Sequence, residues 1–455
     1  MTRQEEPSQS DVLRARFSRV PWRSVLSASI RERRGSGPTA LPDRLEGAVL
    51  GCLAAGGPSG GPSSSPSSNP SGGQSGSESG SESGSPRLLA VLEALLDAAP
   101  IVSRAEETAD LLPFPLVLRG SDDAALVAAV TGSDPWAGTG DPVPGALFAL
   151  VVRRLLAGER RRGAALDRAA RAIRTTLPAA ASRVTAGTSP RDGFRAGWEA
   201  FARSESYPEA VERARAAAPD PGPAAVAGSL AGLYWGSAAV PSDWRRSLPD
   251  HRRVRVLVDR LVETDAPGWD GRPWRTTTSS PLRLDALDLS GLGLDRGSAG
   301  ITFLPGRRYV GYHTGAHWRD LDADAERLRE LGVDTLLLLV EDAELVRCRV
   351  TGIGEAMAAH GVELTRFPIR DPLLPRDAGA FRRTVGRLLD RIRAGESVAV
   401  ACRGGLDRAG MTSACLLREA GLDAGAAIER VQRARRGALT LPDQQAFVRA
   451  WPPRP

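Results

Sequence analysis

The chain has 455 residues, of which 42% are hydrophobic and 25% charged, a composition typical of globular proteins with room for two domains. Its formal net charge is +6, yet the Arg residues alternate with Asp and Glu and no basic run is interleaved with aromatics, which argues against a nucleic-acid partner. The sequence lacks an 18-residue apolar stretch and a secretory signal pattern, so we expect a cytoplasmic protein without a membrane span. Its four Cys have no paired spacing, so we expect neither a disulfide framework nor a zinc site.

The first part of the chain is predicted to be helical on either side of a low-complexity insertion. Residues 1–40 are polar and Arg-rich and are interpreted as a flexible arm. Residues 56–86 are almost wholly Gly, Ser and Pro and cannot bury enough apolar surface to fold. Elsewhere apolar residues, mostly Ala and Leu, recur at helical spacing, at 45–55, 88–98, 145–157, 163–174, 194–203, 209–217 and 224–236. We therefore expect an all-α domain over residues 41–262.

Three segments of this domain carry a resemblance to a known family. They are residues 44–54 (RLEGAVLGCLA), 130–135 (VTGSDP) and 224–236 (AAVAGSLAGLYWG), the last followed by VPSDW at 240–244. On these segments residues 41–262 resemble the ADP-ribosylglycohydrolases. The resemblance implies that active members hold two Mg²⁺ ions with an early Thr-Asp-Asp motif and an Asp-x-Asp-Thr motif before the last of these helices.

The chain does not supply those ligands. The Gly/Ser stretch before Arg87 replaces the first motif, Pro219-Asp220-Pro221-Gly222 replaces the second, and Gly57 stands where the family usually has an Asp. Hard cations such as Mg²⁺ need several oxygen ligands, so we expect no metal and no other cofactor. The domain is interpreted as a glycohydrolase fold with a structural or protein-docking role, or alternatively with a retained groove for an ADP-ribose-like ligand.

A connector and a second domain follow. Residues 263–297 are rich in Asp, Gly, Pro and Thr and are interpreted as a linker. Short apolar runs at 301–305 and 335–340 flank a helical pattern at 321–331, and the second run is continuously apolar, as in a strand covered on both faces. The β/α order predicts an α/β domain over residues 298–455.

Two groups of polar residues near these strands have alternative interpretations. Glu341 and Asp342 end the second apolar run and are catalytic candidates, although their position is more typical of a solvated loop. His313 and His317 lie in a small-residue loop with two Tyr, where turn or core roles are the alternative to a metal pair.

Residues 367–372 (FPIRDP) place a carboxylate after another predicted strand. Asp371 is a candidate general acid, with Pro368 and Pro372 stiffening its loop and Asp377 as a second carboxylate on the segment. An ordinary turn residue is the alternative interpretation of Asp371.

Residues 400–409 (VACRGGLDRA) place a thiol and a guanidinium around a glycine-rich bend. The apolar run 398–401 predicts a buried strand, and residues 409–419, closed by Gly421, predict a helix. A loop from a strand into a helix N-terminus points backbone N–H groups and the positive end of the helix dipole at one spot, so an anion should bind there. Cys402 begins this bend, where the thiolate form is favoured, and is the candidate nucleophile.

The rest of the bend is predicted to bind phosphate. Arg408 can place a bidentate fork on two phosphate oxygens, and the glycines let the backbone approach the anion. The predicted phosphate-binding residues are Arg403, Gly404, Gly405, Leu406, Asp407 and Arg408.

Three segments of this domain resemble the kinase-associated branch of dual-specificity protein phosphatases: 402–408 (CRGGLDR), 368–371 (PIRD) and 437–444 (GALTLPDQ), within a match over about residues 298–452. The resemblance implies a mostly parallel central sheet flanked by helices, a phosphocysteine intermediate and no metal. By position it makes Cys402 the nucleophile, Arg408 the phosphate clamp and Asp371 the acid. Gln444 lies where some relatives place a residue that positions the hydrolytic water.

Three positions depart from that pattern. Ala401 replaces the usual His, which removes a loop-orienting group, and Ala409 replaces a hydroxyl residue that would stabilise the thiolate, so we expect slow breakdown of the phosphoenzyme. Asp407 stands where most protein phosphatases have a small residue. Leu-Asp-Arg at this point resembles the loop of myotubularin-type and Sac-type phosphoinositide phosphatases, in which the Asp itself can supply the proton. In the opposing interpretation, Asp407 repels a bound phosphate.

The sequence therefore predicts an all-α domain joined to a cysteine-dependent phosphatase of the protein tyrosine or dual-specificity type, acting on a phosphorylated protein or a small phosphate ester. A phosphoinositide or other small phosphate-ester phosphatase is the first alternative, favoured by Asp407 and Arg403. A non-catalytic phosphate-binding module is the second, favoured by Ala401 and Ala409.

Overall fold

A computed structural model of the protein describes residues 41–56, 85–97, 108–132, 142–180, 193–248, 250–264, 273–311 and 315–452. Contacts divide the chain into two compact units, Met1–Pro249 and Asp250–Pro455. The predicted arm at 1–40 and residues 57–84 of the predicted insertion lie outside the described ranges. Within those ranges, no helix combines the length and the apolar character needed to cross a bilayer.

The first unit is helical throughout its described residues, which confirms the predicted all-α class. Its α-helices are α1 (Leu41–Gly56), α2 (Ser85–Leu96), α3 (Pro113–Val117), α4 (Asp123–Gly132), α5 (Val143–Leu156), α6 (Arg162–Thr176), α7 (Gly193–Ala202), α8 (Tyr207–Ala217), α9 (Pro221–Trp235) and α10 (Ser242–Arg246). Three short 3₁₀ turns accompany them, at Thr108–Leu111, Pro178–Ala180 and Ser237–Ala239. Sequence periodicity identified seven of these helices and missed α3, α4 and α10.

Glycine allows α1 and α9 to pack backbone against backbone at the centre of this unit. A Cβ on Gly232 would lie 1.9 Å from the carbonyl oxygen of Gly47, and one on Gly51 would lie 2.3 Å from that of Gly228. The hydroxyl of Tyr207 donates to the Gly51 carbonyl at 2.8 Å across the same crossing. These glycines belong to two of the three segments that carry the family resemblance.

The second unit contains α11 (His251–Glu263), β1 (Arg275–Thr276), β2 (Asp285–Ala286), β3 (Ser298–Phe303), β4 (Arg308–Gly311), β5 (Gly315–Trp318), α12 (Leu321–Glu330), β6 (Thr335–Leu338), α13 (Asp342–Arg347), α14 (Ile353–Ala359), β7 (Glu363–Arg366), α15 (Ala378–Ala394), β8 (Ser397–Cys402), α16 (Asp407–Glu419), α17 (Ala424–Ala434) and α18 (Pro442–Arg449). The main sheet has the order β2-β3-β8-β6-β7, and only its edge strand β2 is antiparallel to its neighbour. The predicted α/β class with a mostly parallel sheet is confirmed.

The segment interpreted as a linker contributes structure to this unit. Strand β2 pairs with β3, and β1 pairs with β5 in a small second sheet, β1-β5-β4. The carboxylate of Asp259 in α11 accepts a hydrogen bond from Thr278 N at 2.9 Å. By its contacts the chain divides between Pro249 and Asp250, just before α11, and the predicted domain boundaries at 262 and 298 stay predictions.

The main sheet is covered on both faces, which explains the continuous apolar runs. Val398, Val400 and Cys402 face a core formed with α15 and α16, and Ala399 and Ala401 face the other core, formed with α12 and α14. Parallel strands bring their carboxyl ends to the same edge. The residues that follow β3, β6, β7 and β8 therefore meet there.

Candidate active site

Cys402 ends β8 at this edge, and the bend after it begins α16. The Gly405 N–H points at Cys402 Sγ, with N and S separated by 3.2 Å. Gly405 has φ +68°, and a Cβ there would lie 2.3 Å from the carbonyl oxygen of Thr302, so only glycine fits. A Cβ added to Gly404 would come no closer to another group than 3.9 Å, the distance to the Leu406 side chain. The strict glycine requirement therefore falls on Gly405, which holds a donor at the sulfur.

Arg408, in the first turn of α16, is buried, with 1% of its surface exposed. Its Nη1 and Nη2 donate to the two carboxylate oxygens of Glu344 at 2.6 and 3.0 Å. Nη1 also donates to the Ile369 carbonyl at 2.8 Å, and Nε lies 3.3 Å from Asp371 Oδ1. The guanidinium is thus fixed by groups from two other segments, α13 and the loop after β7.

The arrangement leaves a defined edge of Arg408 for an anion. A guanidinium carries five N–H groups. Glu344 accepts one N–H of Nη1 and one N–H of Nη2, and the Ile369 carbonyl accepts the second N–H of Nη1. The remaining fork consists of Nε and the second N–H of Nη2, and its Nε is the atom beside Asp371. A phosphate that binds bidentately must therefore use the edge that Asp371 now faces.

The Arg408–Glu344 pair is held in its charged form. Burial alone would raise the pKa of Glu344, but the hydrogen bond and the charge of Arg408 outweigh it and hold that pKa below its usual value. Burial likewise opposes the charge of Arg408, yet Glu344, Cys402 and Asp371 together raise the pKa of the guanidinium. Arg408 stays cationic at every pH at which the protein is folded.

Asp371 lies in the loop after β7 and contacts two guanidinium groups. Arg403 Nη2 lies 2.8 Å from Asp371 Oδ2, on the opposite side of the carboxylate from Arg408. Arg403 also approaches Glu344, with Nη1 3.6 Å from Oε1. Among the predicted site residues, Asp371 thus contacts both Arg403 and Arg408.

Asp407 has a different environment. It is the first residue of α16, and its Oδ1 accepts from the N–H and the hydroxyl of Thr440, at 3.4 and 3.3 Å. Leu406, the residue before it, is the half-buried N-cap position. The Asp407 carboxylate is therefore tied to the segment before α18.

Gln444 is buried in α18 and reaches the acid loop. Its Nε2 donates to the carbonyl of Pro372 at 3.1 Å. Its Oε1 is buried with no hydrogen-bond partner among the described residues. Because Pro372 offers only an acceptor there, the amide orientation is set and Oε1 is the atom left to accept a hydrogen bond.

Sequence reasoning missed three residues around the loop: Glu344, Arg307 and Arg435. Glu344 forms a capping box with Glu341 at the start of α13, and the Glu-x-x-Glu spacing was the available signal. Arg307 donates to the Arg403 carbonyl at 2.8 Å, and Arg435 donates to the Gly404 carbonyl at 3.0 Å. No local pattern predicts those two contacts, because they join distant segments.

Other candidates serve structural roles. Asp342 pairs with Arg366 at 2.5 Å, and Asp377 caps α15 by accepting from Ala380 N at 2.8 Å. His317 lies in β5 rather than in a loop, and its ring nitrogens are 3.1 and 3.4 Å from Nη2 of Arg307. That cationic neighbour is unfavourable for a metal ligand. His313 lies outside the described residues.

All four cysteines are buried. Burial raises the pKa of the Cys348 thiol to about 11 and also raises that of Cys415. Those two thiols are therefore protonated and unreactive at neutral pH.

The described residues of the first unit do not fit the magnesium pair that its family resemblance implies. Asp220 caps α9 through Oδ1, which accepts from Gly222 N at 3.0 Å, and Asp43 accepts from the N–H and hydroxyl of Ser237 at 3.1 and 2.9 Å. In the parts of the chain that the structure describes, no three His, Cys, Asp or Glu side chains are grouped to hold a metal. The segment predicted to replace the first metal motif lies outside those parts.

Comparisons with known proteins match both units. The family model for ADP-ribosylglycohydrolase matches residues 22–270, and the model for cyclin-dependent kinase inhibitor 3 (CDKN3) matches residues 274–424. A curated cyclin-dependent kinase inhibitor 3 from Rattus norvegicus is 25% identical over 138 residues, which are 30% of this chain and 62% of that protein. The match thus spans less than two thirds of that relative.

Two solved structures are similar to parts of the chain. A kinase associated phosphatase with serine in place of its catalytic cysteine is 22% identical with a TM-score of 0.34, covering 37% of this chain and 93% of the other. An ADP-ribosylglycohydrolase-related protein complex is 19% identical with a TM-score of 0.28, covering 49% of this chain and 97% of the other.

Proposed function

The chain belongs to the ADP-ribosylglycohydrolase family through residues 22–270, and we propose that its chemistry nevertheless resides in the second unit, as hydrolysis of phosphoric monoesters through a phosphocysteine. The observation that carries this proposal is the Gly405 N–H aimed at Cys402 Sγ from 3.2 Å, in a bend that ends at the buried Arg408. Backbone donors, a helix N-terminus and a fixed guanidinium around one thiol suit attack on a dianionic phosphate.

In the first half-reaction, the Cys402 thiolate attacks phosphorus and the bond to the ester oxygen breaks. The phosphate takes the Nε/Nη2 edge of Arg408 and so displaces Asp371 Oδ1 from it. The displaced carboxyl group, in its protonated form, stays next to the reacting centre and gives its proton to the leaving oxygen. The products are an alcohol or phenol and phosphocysteine.

In the second half-reaction, water attacks the phosphocysteine, Asp371 takes a proton from that water, and the Cys402 thiolate leaves as phosphate is released. Gln444 Oε1, buried and without a partner in the described residues, accepts a hydrogen bond from the attacking water. This step should be the slower one, since Ala409 offers no hydroxyl to the leaving thiolate.

Asp371 is favoured over Asp407 as the proton donor by position. Asp371 faces the edge of Arg408 that phosphate must occupy, whereas the Asp407 carboxylate is tied to Thr440. Asp407 contributes to the start of α16 instead, where a carboxylate is stabilised by the helix dipole.

A phosphorylated protein is the proposed substrate class, in keeping with the relative whose name refers to cyclin-dependent kinases. Phosphoinositides and other small phosphate esters are the second candidate, because the Arg403 side chain is 38% exposed beside the loop and can take a second phosphate group. The first unit has a structural or protein-docking role in this proposal.

Hydrolysis of p-nitrophenyl phosphate by the full-length protein tests the activity. Cys402→Ser should lose turnover by roughly 10⁴-fold or more, because the hydroxyl is a far weaker nucleophile here. Arg408→Lys should lose most of it, since an ammonium cannot replace the fork. Cys415→Ala, which removes another buried thiol, is the control and should keep activity. Equal turnover by Cys402→Ser and the wild type would refute the proposal.

The substrate class is tested by initial rates on phosphotyrosine and phosphothreonine peptides and on inositol phosphates under the same conditions. Higher kcat/KM on a peptide supports the protein substrate. A preference for inositol phosphates that is lost in Arg403→Gln would support the second candidate instead.

A further inference from the structure

The bend after Cys402 is braced from outside by two guanidinium groups on its carbonyl oxygens. Arg307, in the turn between β3 and β4, donates to the Arg403 carbonyl at 2.8 Å. Arg435, at the end of α17, donates to the Gly404 carbonyl at 3.0 Å. Leu304 N is a longer second donor to the Arg403 carbonyl, at 3.5 Å. Two consecutive peptide units of the loop are thus held by side chains from separate segments.

Holding the carbonyls determines where the N–H groups point. In a planar trans peptide the C=O and the following N–H face opposite ways. With the Gly404 carbonyl turned to Arg435, the Gly405 N–H must point to the other side, and it does so, at Cys402 Sγ. With the Arg403 carbonyl turned to Arg307, the Gly404 N–H must likewise face away from Arg307.

Arg307 is itself rigid and buried. It is 5% exposed, its Cζ lies 4.2 Å from the ring centre of Phe303, and its Nη2 contacts His317. Burial lowers its pKa to about 10, so it still carries its charge at pH 7. Its hydrogen-bond partners in the described residues are the Arg403 carbonyl and the His317 ring, and its Nε has no partner there. The charge of Asp324 favours the cation but does not outweigh the effect of burial. A buried cation of this kind costs stability, which calls for a functional reason.

We propose that Arg307, with Arg435, positions the N–H groups of the loop for phosphate and so replaces the orienting group lost at Ala401. The inference rests on the proposed function, because it concerns the loop that would bind the substrate phosphate. Arg307 and Arg435 are positioning residues: they act through the Arg403 and Gly404 peptides and do not touch the substrate.

The test measures anion binding and thiol reactivity in the full-length protein, separately from turnover. Arg307→Met should weaken inorganic phosphate binding by roughly tenfold in calorimetry, as expected for one lost charge-assisted hydrogen bond. It should raise KM for p-nitrophenyl phosphate more than it lowers kcat. Alkylation of Cys402 by iodoacetamide should also shift to higher pH, and Arg307→Lys should recover part of each loss.

Matched controls remove arginines that bond other carbonyls. Arg308 is the residue next to Arg307, and Arg308→Met removes a hydrogen bond to the Arg319 carbonyl. Arg430 lies in α17, which ends just before Arg435, and Arg430→Met removes hydrogen bonds to the Asp288 and Ser290 carbonyls. Both controls should keep wild-type phosphate affinity and alkylation. A folded Arg307→Met protein with unchanged phosphate affinity and alkylation profile overturns the proposal.

If Arg307→Met does not fold, Arg435→Met decides: weaker phosphate binding supports the proposal, and wild-type binding overturns it. Failure of the proposed function has a different signature. A wild-type protein that binds phosphate and loses binding in Arg307→Met, but hydrolyses no ester, refutes the hydrolysis and leaves this inference standing.

Discussion

Asp220 in the first unit and Asp371 in the second are both acidic residues placed directly before a proline, and their surroundings give them opposite uses. Asp220 begins α9, where its carboxylate accepts the Gly222 N–H and completes the helix cap. Asp371 follows a parallel strand, where two guanidinium groups face its carboxylate. The same local sequence is structural at a helix N-terminus and available for chemistry at the carboxyl edge of a sheet.

The contrast extends to the two units as wholes. In the first unit the backbones of α1 and α9 pack directly against each other, where glycines leave room for no side chain. In the second unit four parallel strands deliver charged side chains to one edge. In the proposed function, the first unit is therefore kept for its packing while the second carries the reactive groups.

The strongest test of this contrast concerns the acid. Asp371→Asn should lower kcat by roughly 10² to 10⁴-fold on substrates with poor leaving groups, because an amide cannot donate the proton to the leaving oxygen. Steady-state rates on alkyl and aryl phosphates at neutral pH measure this loss.

Asp407→Asn is the matched variant for that experiment. Asp407→Asn keeps the side-chain size and should change kcat far less than Asp371→Asn does. A substrate with a good leaving group should restore most of the rate that Asp371→Asn loses. A large effect of Asp407→Asn with little effect of Asp371→Asn would contradict the assignment and favour the phosphoinositide alternative.

The sequence predicted the parts of the site that lie close together in the chain. The strand before Cys402, the bend and the helix after it follow from an apolar run, glycines and helical spacing, and the structure has them at Ser397–Cys402 and Asp407–Glu419. Asp371 was found because a short motif marks it. These features depend on local physics, which a single sequence displays.

The remaining contacts depend on long-range packing. Glu344 reaches Arg408 across 64 residues and Arg307 reaches Arg403 across 96, so no local pattern pairs them. The apolar run at 335–340 drew attention to Glu341 and Asp342, but the helical turn of α13 points Glu344 into the site instead. The β4–β5 hairpin was missed because its strands are short and lack β-branched runs.

The packing side of the contrast is tested by Gly232→Ala. The added Cβ would lie 1.9 Å from the Gly47 carbonyl oxygen, a backbone atom of α1 that cannot turn aside as a side chain could, so the helices must separate. We expect a loss of roughly 3 kcal/mol in the stability of the first unit, seen as a lower melting temperature. Gly163→Ala, in open space on α6, should be neutral or stabilising. Equal melting temperatures for the two variants would contradict the described helix contact.

The charge side is tested through Glu344. Its folded pKa lies below the ordinary value of 4.5, so its pairing with Arg408 stabilises the protein above that pH and the stabilisation is lost as pH falls through the folded value. Glu344→Gln should cost roughly 1 to 3 kcal/mol near neutral pH, and its difference from the wild type should shrink below about pH 4.5. Urea unfolding between pH 7 and pH 3.5 measures this difference. Exposed Glu355→Gln should show no such trend; a pH-independent deficit in Glu344→Gln would speak against the charged pair.

The smallest expected effect is that of Mg²⁺ on the first unit. Asp220 is committed to the α9 cap between two prolines, and the described residues hold no grouped set of oxygen ligands, whereas an octahedral ion needs several. Calorimetry with the full-length protein should show no specific Mg²⁺ binding, and incubation with an ADP-ribosylated protein should release no ADP-ribose. A chelator should leave the hydrolysis of p-nitrophenyl phosphate unchanged. Release of ADP-ribose that a chelator abolishes would mean that residues outside the described ranges supply the ligands. The first unit would then be a second enzyme, and the contrast between a packed unit and a reactive unit would no longer hold.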